Sequence, residues 1–370
     1  MISVEECFEE IRKYLKAFTK EQILEKSTKL IDVKEILVHN KIEPIILYVS
    51  RGCKSEDSEW EKNKILNYNR ISSCSKIFET LEKLRIPYAV IKGAYLDKMA
   101  YKNIGLRYSY DIDFLIEKKN YNKVHRLMLE SGFVAGEWNA IENKIDEATR
   151  ESVIYNLMYT HQAVPYVKIE KFSGYEQDIS VDLNFSISWG EDKQGFSLTT
   201  QLLDDTQIIE YENVKYRVLN PEAFLIQICM HSYRDMNTLF LIKTGKFQLR
   251  LLCDVFYFIF FNVEKLNAEK FINICKQHNY EKYIYYVLYY TTEVFDNFFW
   301  IDYVMKCIKP KDVSFLDTYG ISSGEIKKWP IDFRDRVMSC DLFNTLTAYL
   351  TEDDIKKMNI IDANMQHKIK

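Results

Sequence analysis

The amino-acid sequence predicts an α+β fold with a helical C-terminal domain, and three observations support this. Between residues 85 and 133 the pattern alternates strand, helix, strand, helix. A run with apolar side chains at every second position follows at 179–187, which is typical of a half-buried strand. At Asn220-Pro221 the pattern changes to amphipathic helices, introduced by a capping residue and a proline at the first helical position.

Composition places the chain among ordinary globular proteins. Its 370 residues are 47% hydrophobic and 28% charged, and the formal net charge is −4. This balance excludes a disordered chain and allows about two domains. No block of Lys and Arg is long enough to indicate a nucleic-acid arm, so a nucleic-acid partner is not favoured.

Cysteine usage and hydropathy predict a cytoplasmic protein. The eight cysteines include no CxxC pair, and Cys229, Cys253 and Cys275 lie in apolar helical patterns. We expect them to be buried thiols in a reducing compartment. The N-terminus lacks the basic start and apolar centre of a signal peptide. The most apolar stretch, 251–261, is too short to span a bilayer, so no membrane association is expected.

The first part of the chain predicts helices. Short amphipathic stretches over residues 1–48 indicate an N-terminal helical segment, assigned to 1–55. Apolar residues at helical spacing then predict one long helix over 58–85, with Ser55 or Ser58 as its cap.

The central part, assigned to residues 56–218, predicts most of the strands. "YAVI" at 88–91 reads as a buried strand, and Gly93 ends it before a short helix. "YDIDFLI" is the second strand, and a helix over 120–133 closes at Gly132. Strands are predicted within 152–172 and 175–188, and 206–219 predicts a hairpin that turns at Glu212–Asn213. Residues 219–370 form the predicted helical domain.

Two aspartates stand two apart inside the second strand. Because side chains alternate along a strand, Asp111 and Asp113 should lie side by side while Ile112 faces the core. Like charges at this spacing raise each other's pKa. The later strand places Asp182 on its polar face, and Asp178 shares that parity. We prefer Asp182 because it is embedded between apolar neighbours. Bound Mg²⁺ would relieve the repulsion of three carboxylates.

The turn between the first strand and the following helix offers a phosphate site. A helix N-terminus presents unpaired N–H groups and the positive end of a dipole. Gly93 allows phosphate oxygens to approach the backbone, and Lys92 adds a positive charge. A surface lysine at a strand end is the competing interpretation.

Together these segments resemble the nucleotidyltransferases of the DNA polymerase β-like superfamily, and more closely a bacterial branch of uncharacterised nucleotidyltransferases. The resemblance covers roughly residues 75–290. The branch often has His after its Asp-Leu, where this chain has Asn184. The matching segments are Ile91-Lys92-Gly93-Ala94, Arg107, Asp111-Ile112-Asp113-Phe114-Leu115, Val181-Asp182-Leu183, His231, and Arg250 with Asp254.

The resemblance implies a polymerase β-like nucleotidyltransferase core, with a small mixed sheet flanked by helices. The active site would lie in a cleft between this core and the helical C-terminal domain. The implied reaction is metal-dependent transfer of a nucleoside monophosphate, with AMP expected, from an NTP to an acceptor. The acceptor would be a hydroxyl or similar group on a small molecule or peptide, and pyrophosphate would be released.

The resemblance also implies roles for individual residues. The metal ligands would be Asp111, Asp113 and Asp182, holding two Mg²⁺ ions, with Mn²⁺ as an alternative. Asp182 would also take the proton of the acceptor hydroxyl. The phosphate-binding residues would be Lys92, Gly93 and Arg107. The residues facing the cleft to meet nucleotide or acceptor would be His231, Arg250 and Asp254.

Other interpretations stay open at this point. Arg107 could be an ordinary loop arginine, and His231 a packed helix histidine. Arg250 and Asp254 are spaced i, i+4 and could form a purely structural pair. Two other functions compete with nucleotidyl transfer. One is an Asp-x-Asp glycosyltransferase, and the other is a non-catalytic nucleotide-binding or toxin–antitoxin-type module.

Overall fold

The computed structural model describes residues 3–25, 27–51, 59–188, 195–321, 326–356 and 358. These residues divide into two compact units. The sheet unit comprises the described residues of Asp57–Gln227, and the helical unit comprises those of Met1–Glu56 and Ile228–Met365. The N-terminal helices therefore belong to the same unit as the C-terminal helices. The three-part division made from the sequence stays a prediction.

The helical unit begins with four helices, α1 (Val4–Thr19), α2 (Lys29–Asp32), α3 (Lys34–His39) and α4 (Glu43–Arg51). The sheet unit then contains α5 (Glu59–Ser73), α6 (Ser75–Lys83), β1 (Tyr88–Ile91), α7 (Gly93–Ala100), β2 (Asp111–Ile116), α8 (Tyr121–Glu130), β3 (Val134–Asn139), β4 (Lys144–Glu147), α9 (Arg150–Tyr159), β5 (Tyr166–Phe172), β6 (Tyr175–Asn184), α10 (Gly195–Asp204), β7 (Thr206–Tyr211) and β8 (Val214–Leu219). The last elements are α11 (Pro221–Asn237), α12 (Leu239–Lys243), α13 (Leu249–Asn262), α14 (Ala268–Gln277), α15 (Glu281–Phe295), α16 (Phe299–Ile308), β9 (Thr318–Tyr319), β10 (Lys327–Lys328), α17 (Phe333–Met338) and α18 (Leu342–Thr347).

The described strands of the sheet unit form one mixed sheet in the order β4-β3-β5-β6-β2-β1-β8-β7. Two of its pairs, β2 with β6 and β1 with β8, are parallel, and the others are antiparallel. The two strands with the predicted aspartates, β2 and β6, are therefore direct neighbours near the centre of the sheet. The prediction that this unit combines helices with a mixed sheet is confirmed, and the polymerase β-like core stays a prediction.

An aromatic cluster joins α6 to the centre of the sheet. The ring of Phe78 stacks on those of Tyr88, Phe114 and Tyr216, with centroid distances of 5.8, 5.4 and 5.3 Å. Phe78, Tyr88 and Phe114 are fully buried. The apolar face of β2 therefore packs against a helix, and its other face carries the aspartates.

Two segments of the sheet unit differ from the predictions. The single helix predicted over 58–85 is wrong, because Cys74 interrupts it between α5 and α6. At the end of α5, the hydroxyl of Ser73 donates a hydrogen bond to the carboxylate of Glu170 on β5. The possible caps Ser55 and Ser58 lie outside the described residues.

Residues 152–159, predicted as strand, lie in the helix α9. The side-chain oxygen of Thr149 accepts the backbone N–H of Ser152 at 3.1 Å and caps the helix. Ser152 and Asn156 are buried, whereas Tyr155 and Met158 are exposed. The β-branched and aromatic side chains that favoured a strand therefore lie partly on the solvent side, where they do not decide the local structure.

The helical unit packs around α13 and α15. The rings of Phe256 and Phe295 are stacked with centroids 4.1 Å apart, and the hydroxyl of Tyr257 donates to the carbonyl of Leu15 in α1. The thiols of Cys229, Cys253 and Cys275 are buried, as predicted. None of the helices in the described ranges combines the length and apolar character needed to cross a membrane.

Candidate active site

The pairing register of β2 and β6 brings the predicted carboxylates together. Asp113 lies directly opposite Asp182, and Asp111 lies opposite Ser180. Alternation puts these side chains on one face of the sheet, because the intervening Ile112 and Val181 are buried on the other. The competing Asp178 comes before Ser180, which is the first residue of β6 that pairs with β2. Register therefore separates Asp182 from Asp178, which sequence parity alone left equivalent.

The carboxylates on this face disturb one another's ionisation. Burial raises the pKa of Asp111, and the charge of Asp113 raises it further, while Lys92 and Arg107 act in the opposite direction. Burial also raises the pKa of Asp182 well above its ordinary value, with added repulsion from Asp111 and Asp113. The face carries more negative charge than its own basic residues offset.

Asp113 has a positively charged hydrogen-bond partner. It is 4% exposed, and its Oδ1 accepts a hydrogen bond from Nζ of Lys92 at 2.9 Å. The same Oδ1 accepts from Nδ2 of Asn184 at 3.1 Å. Asn184 ends β6 and is 5% exposed. One carboxylate oxygen is thus shared by a charged donor and a neutral one.

The Lys92-Gly93 turn has an unusual backbone. Lys92 adopts φ 61° and ψ −148°, a region that residues with a Cβ rarely occupy. Gly93 follows with φ 55° and begins α7. A Cβ on Gly93 would lie 3.1 Å from Oγ of Ser109 and 3.3 Å from the carbonyl oxygen of Asp111. The turn therefore approaches the start of β2 closely, and only glycine fits there without displacement.

Arg107 is a buried residue rather than an exposed loop arginine. It is 6% exposed, and its Nη1 donates to the carbonyl of Gly93 at 3.4 Å. Its positive charge also lowers the pKa of Asp111. Arg107 therefore links the Lys92-Gly93 turn to the beginning of β2.

The loop that carries Arg107 is held by residues that sequence reasoning missed. Asp97 of α7 is fully buried, and its Oδ1 and Oδ2 accept the backbone N–H groups of Arg107 and Gly105, each at 3.1 Å. From α5, the Nδ2 groups of Asn63 and Asn67 donate to the carbonyls of Gly105 and Arg107. In the sequence, the feature that could have indicated this role is Asp97 itself, a carboxylate within the mostly apolar helix "GAYLDKMA".

The donor chemistry of this face suits a hard divalent cation. Carboxylate oxygens are the ligands that Mg²⁺ prefers, and a cation would offset the repulsion that raises the pKa of Asp111 and Asp182. As their side chains stand, no three His, Cys, Asp or Glu residues in the described ranges are arranged to hold one metal ion. Lys92 already occupies one oxygen of Asp113. The residues thus fit a cation by type and strand position, with Lys92 as a competing charge.

The remaining predicted residues lie in the helical unit. On α11, Nδ1 of His231 lies 3.0 Å from Nη2 of Arg234, and its Nε2 lies 3.5 Å from Oδ2 of Asp235. On α13, Arg250 and Asp254 form the expected i, i+4 pair at 3.8 Å, and Asp254 is buried. These contacts lie within the helical unit. That these residues face the carboxylates of β2 and β6 stays a prediction.

Comparison with protein families identifies a matching family. The sequence model of a family described as "Uncharacterised nucleotidyltransferase" matches residues 57–296. This stretch begins just before α5, ends just after α15 and contains every residue predicted for the site. The comparison with curated proteins found no match.

Proposed function

Because the chain belongs to the uncharacterised nucleotidyltransferase family, we propose that it transfers a nucleoside monophosphate, with AMP expected, from an NTP to an acceptor. The acceptor is a hydroxyl or similar group on a small molecule or peptide, and pyrophosphate is released. The observation that carries the proposal is the pairing of Asp113 on β2 with Asp182 on β6. Asp111 lies on the same strand as Asp113, and β2 is the strand that follows the Lys92-Gly93 turn and α7.

In the proposed site, Asp111, Asp113 and Asp182 hold the metal, with two Mg²⁺ ions expected and Mn²⁺ as an alternative. When bound, the metal stabilises charge on the reacting phosphate and lowers the pKa of the acceptor hydroxyl. Asp182 accepts the acceptor's proton. Its position opposite Asp113 supports this role, because it places the carboxylate beside the proposed metal ligands of β2.

The phosphates bind at the Lys92-Gly93 turn. The glycine lets phosphate oxygens approach the first N–H groups of α7, and the ammonium of Lys92 neutralises charge on the departing pyrophosphate. Arg107 contributes its charge at the same place, which is supported by its bond to the carbonyl of Gly93. The roles proposed for His231 and for the Arg250–Asp254 pair, contact with nucleotide or acceptor, follow from the family resemblance.

The test is pyrophosphate release from each NTP with Mg²⁺ and a panel of small-molecule and peptide acceptors. We expect release by the wild type and none by Asp111→Ala/Asp113→Ala, because that variant lacks two of the three proposed ligands. Asp178→Ala is the matched control, because Asp178 shares strand and parity with Asp182 but lies outside the register with β2. A mass increase of one nucleotide identifies the acceptor. Equal release by wild type and double variant would refute the metal role.

A further inference from the structure

The two donors to Asp113 differ in a way that assigns them different roles. Lys92 is charged and its side chain is 16% exposed, whereas Asn184 is neutral and buried. Building on the proposed function, we propose that Lys92 is an exchangeable counter-ion of Asp113, which moves to the nucleotide phosphates when the metal binds. Asn184 is the positioning residue that keeps the Asp113 carboxylate in place throughout this exchange.

Lys92 and a metal ion compete for the same oxygen. Nζ of Lys92 lies 2.9 Å from Oδ1 of Asp113, and Mg²⁺ binds carboxylate oxygens at about 2.0–2.1 Å. Two cations at these distances from one oxygen repel each other strongly in a partly buried site. The Lys92 ammonium would therefore leave this oxygen if a metal were held through it.

Lys92 has somewhere to move. A lysine ammonium sits on a flexible four-carbon stem and rotates without a fixed donor geometry. The next residue, Gly93, begins α7, so the proposed phosphate site lies within reach of the same side chain. The positive φ at Lys92 fixes the backbone from which the stem extends. The charge can thus pass from a carboxylate to a phosphate while the main chain stays in place.

Asn184 is suited to remain. Its Nδ2 donates to Oδ1 of Asp113 at 3.1 Å and carries no charge that would repel a metal. Its backbone is fixed at the end of β6 and by an isolated bridge to Gln162. A neutral, immobile donor to a ligand carboxylate is the usual arrangement by which proteins orient a metal ligand.

The exchange predicts opposite changes in two affinities for one substitution. We would measure Mn²⁺ binding by electron paramagnetic resonance without nucleotide, and binding of a non-hydrolysable ATP analogue in the presence of Mg²⁺. Lys92→Met should raise Mn²⁺ affinity about tenfold, because the competing charge is gone, and lower analogue affinity about tenfold. Lys92→Arg, which keeps the charge, should change Mn²⁺ affinity by no more than about twofold. A purely structural lysine would weaken both.

The positioning role of Asn184 has its own measurement. Asn184→Ala should lower Mn²⁺ affinity about tenfold, in the wild-type and in the Lys92→Met background alike. Asn184→His offers a ring N–H to Asp113 and should restore most of the affinity. Calorimetric unfolding of each variant shows whether its fold is intact. Failure of the histidine variant to restore affinity, with the fold intact, would overturn the positioning role.

These results separate the exchange from the proposed reaction. If the wild type binds Mn²⁺ and releases pyrophosphate while Lys92→Met leaves Mn²⁺ affinity unchanged, the exchange is wrong and the proposed function stands. If the wild type binds no Mn²⁺, both the exchange and the metal-dependent reaction are wrong. Opposite shifts of the two affinities in Lys92→Met support the exchange.

Discussion

Asp97 and Asp182 lie in the same compact unit, yet their carboxylates have contrasting surroundings. Asp97 is fully buried, and each of its oxygens accepts a backbone N–H group of the loop before β2. Asp182 is half-buried and faces two other carboxylates across the register of β2 and β6. The first aspartate is satisfied by donors, whereas the second is repelled by like charges.

The difference shows how two carboxylates of one fold can have opposite effects on its stability. A carboxylate that accepts backbone N–H groups stabilises the loop that supplies them. A carboxylate whose neighbours raise its pKa destabilises the folded protein, and a chain retains such a group when a ligand offsets the charge. The same isosteric substitution, Asp to Asn, should therefore have opposite effects on stability at the two positions.

The largest expected effect is on catalysis at Asp182. Asp182→Asn keeps the size of the side chain but removes a proposed metal ligand and proton acceptor. We expect pyrophosphate release to fall by at least about 10³-fold, as is usual for loss of a group that acts on the reacting atoms. Steady-state rates with saturating Mg²⁺ check this. A variant that keeps a tenth of the wild-type rate would place Asp182 outside the chemistry.

The next largest effect is on the loop held by Asp97. A Cβ at Gly105 would lie 2.0 Å from the carbonyl oxygen of Trp60, and the φ of Gly105 is 89°. We expect Gly105→Ala to lower the free energy of unfolding by more than about 3 kcal/mol, because helix α5 must shift. Gly132→Ala and Gly174→Ala are controls for φ alone, since both glycines have positive φ and open space at the Cβ position.

Calorimetry of the three alanine variants gives the comparison. The two controls should lose about 1 kcal/mol each. If Gly105→Ala loses no more than they do, α5 and the loop are less tightly packed than the distances indicate.

A smaller loss is expected for Asp97→Asn. The amide would turn an N–H group toward one of the backbone N–H groups that the carboxylate now accepts. We expect the free energy of unfolding to fall by about 2–3 kcal/mol, because a buried donor loses its partner. Denaturant unfolding measures the loss. A stability equal to that of the wild type would contradict the role assigned to this carboxylate.

The smallest effect is a gain in stability at Asp182, and it depends on pH. Because the pKa of this carboxyl is raised on folding, stability falls as pH rises from its ordinary value of 3.8 through the raised value. Above the raised pKa the wild type carries the full cost of the charge. Without divalent ions, Asp182→Asn should therefore be more stable than the wild type by about 1 kcal/mol.

The gain should disappear below pH 3.8, where the carboxyl is protonated in both states, and Mg²⁺ should favour the wild type. Unfolding measured at several pH values, with and without Mg²⁺, checks each part. A loss of stability in Asp182→Asn at neutral pH without Mg²⁺ would remove the contrast with Asp97.

Much of the carboxylate face of β2 and β6 was predictable from the sequence, because strand periodicity is local information. The alternation through "DIDFLI" and "ISVDLNF" places the aspartates on the polar faces of β2 and β6. Periodicity does not fix register, so the choice of Asp182 over Asp178 rested on sequence context until the pairing with Asp113 was known.

Long-range polar contacts were out of reach of sequence reasoning. The bonds from Asn63 and Asn67 to the loop before β2, and from Asn184 to Asp113, join residues about 40 and 71 positions apart. No local pattern marks an asparagine that donates to a distant carbonyl or carboxylate. Helix α9 was mistaken for a strand because its cap at Thr149 outweighs the strand propensity of its side chains.

The long separation of β2 and β6 along the chain determines when the face with the three carboxylates can assemble. Val90 of β1 pairs with Val218 of β8, and β2 pairs with β6. Between β2 and β6 the chain forms α8, β3, β4, α9 and β5. Pairings between such distant segments have a high contact order and form slowly, since a long loop must close first. On the ribosome, the three carboxylates stay apart until β6 has emerged. The juxtaposition of the three carboxylates therefore depends on the pairing of β6 with β2, not on the strands nearer the start of the sheet unit alone.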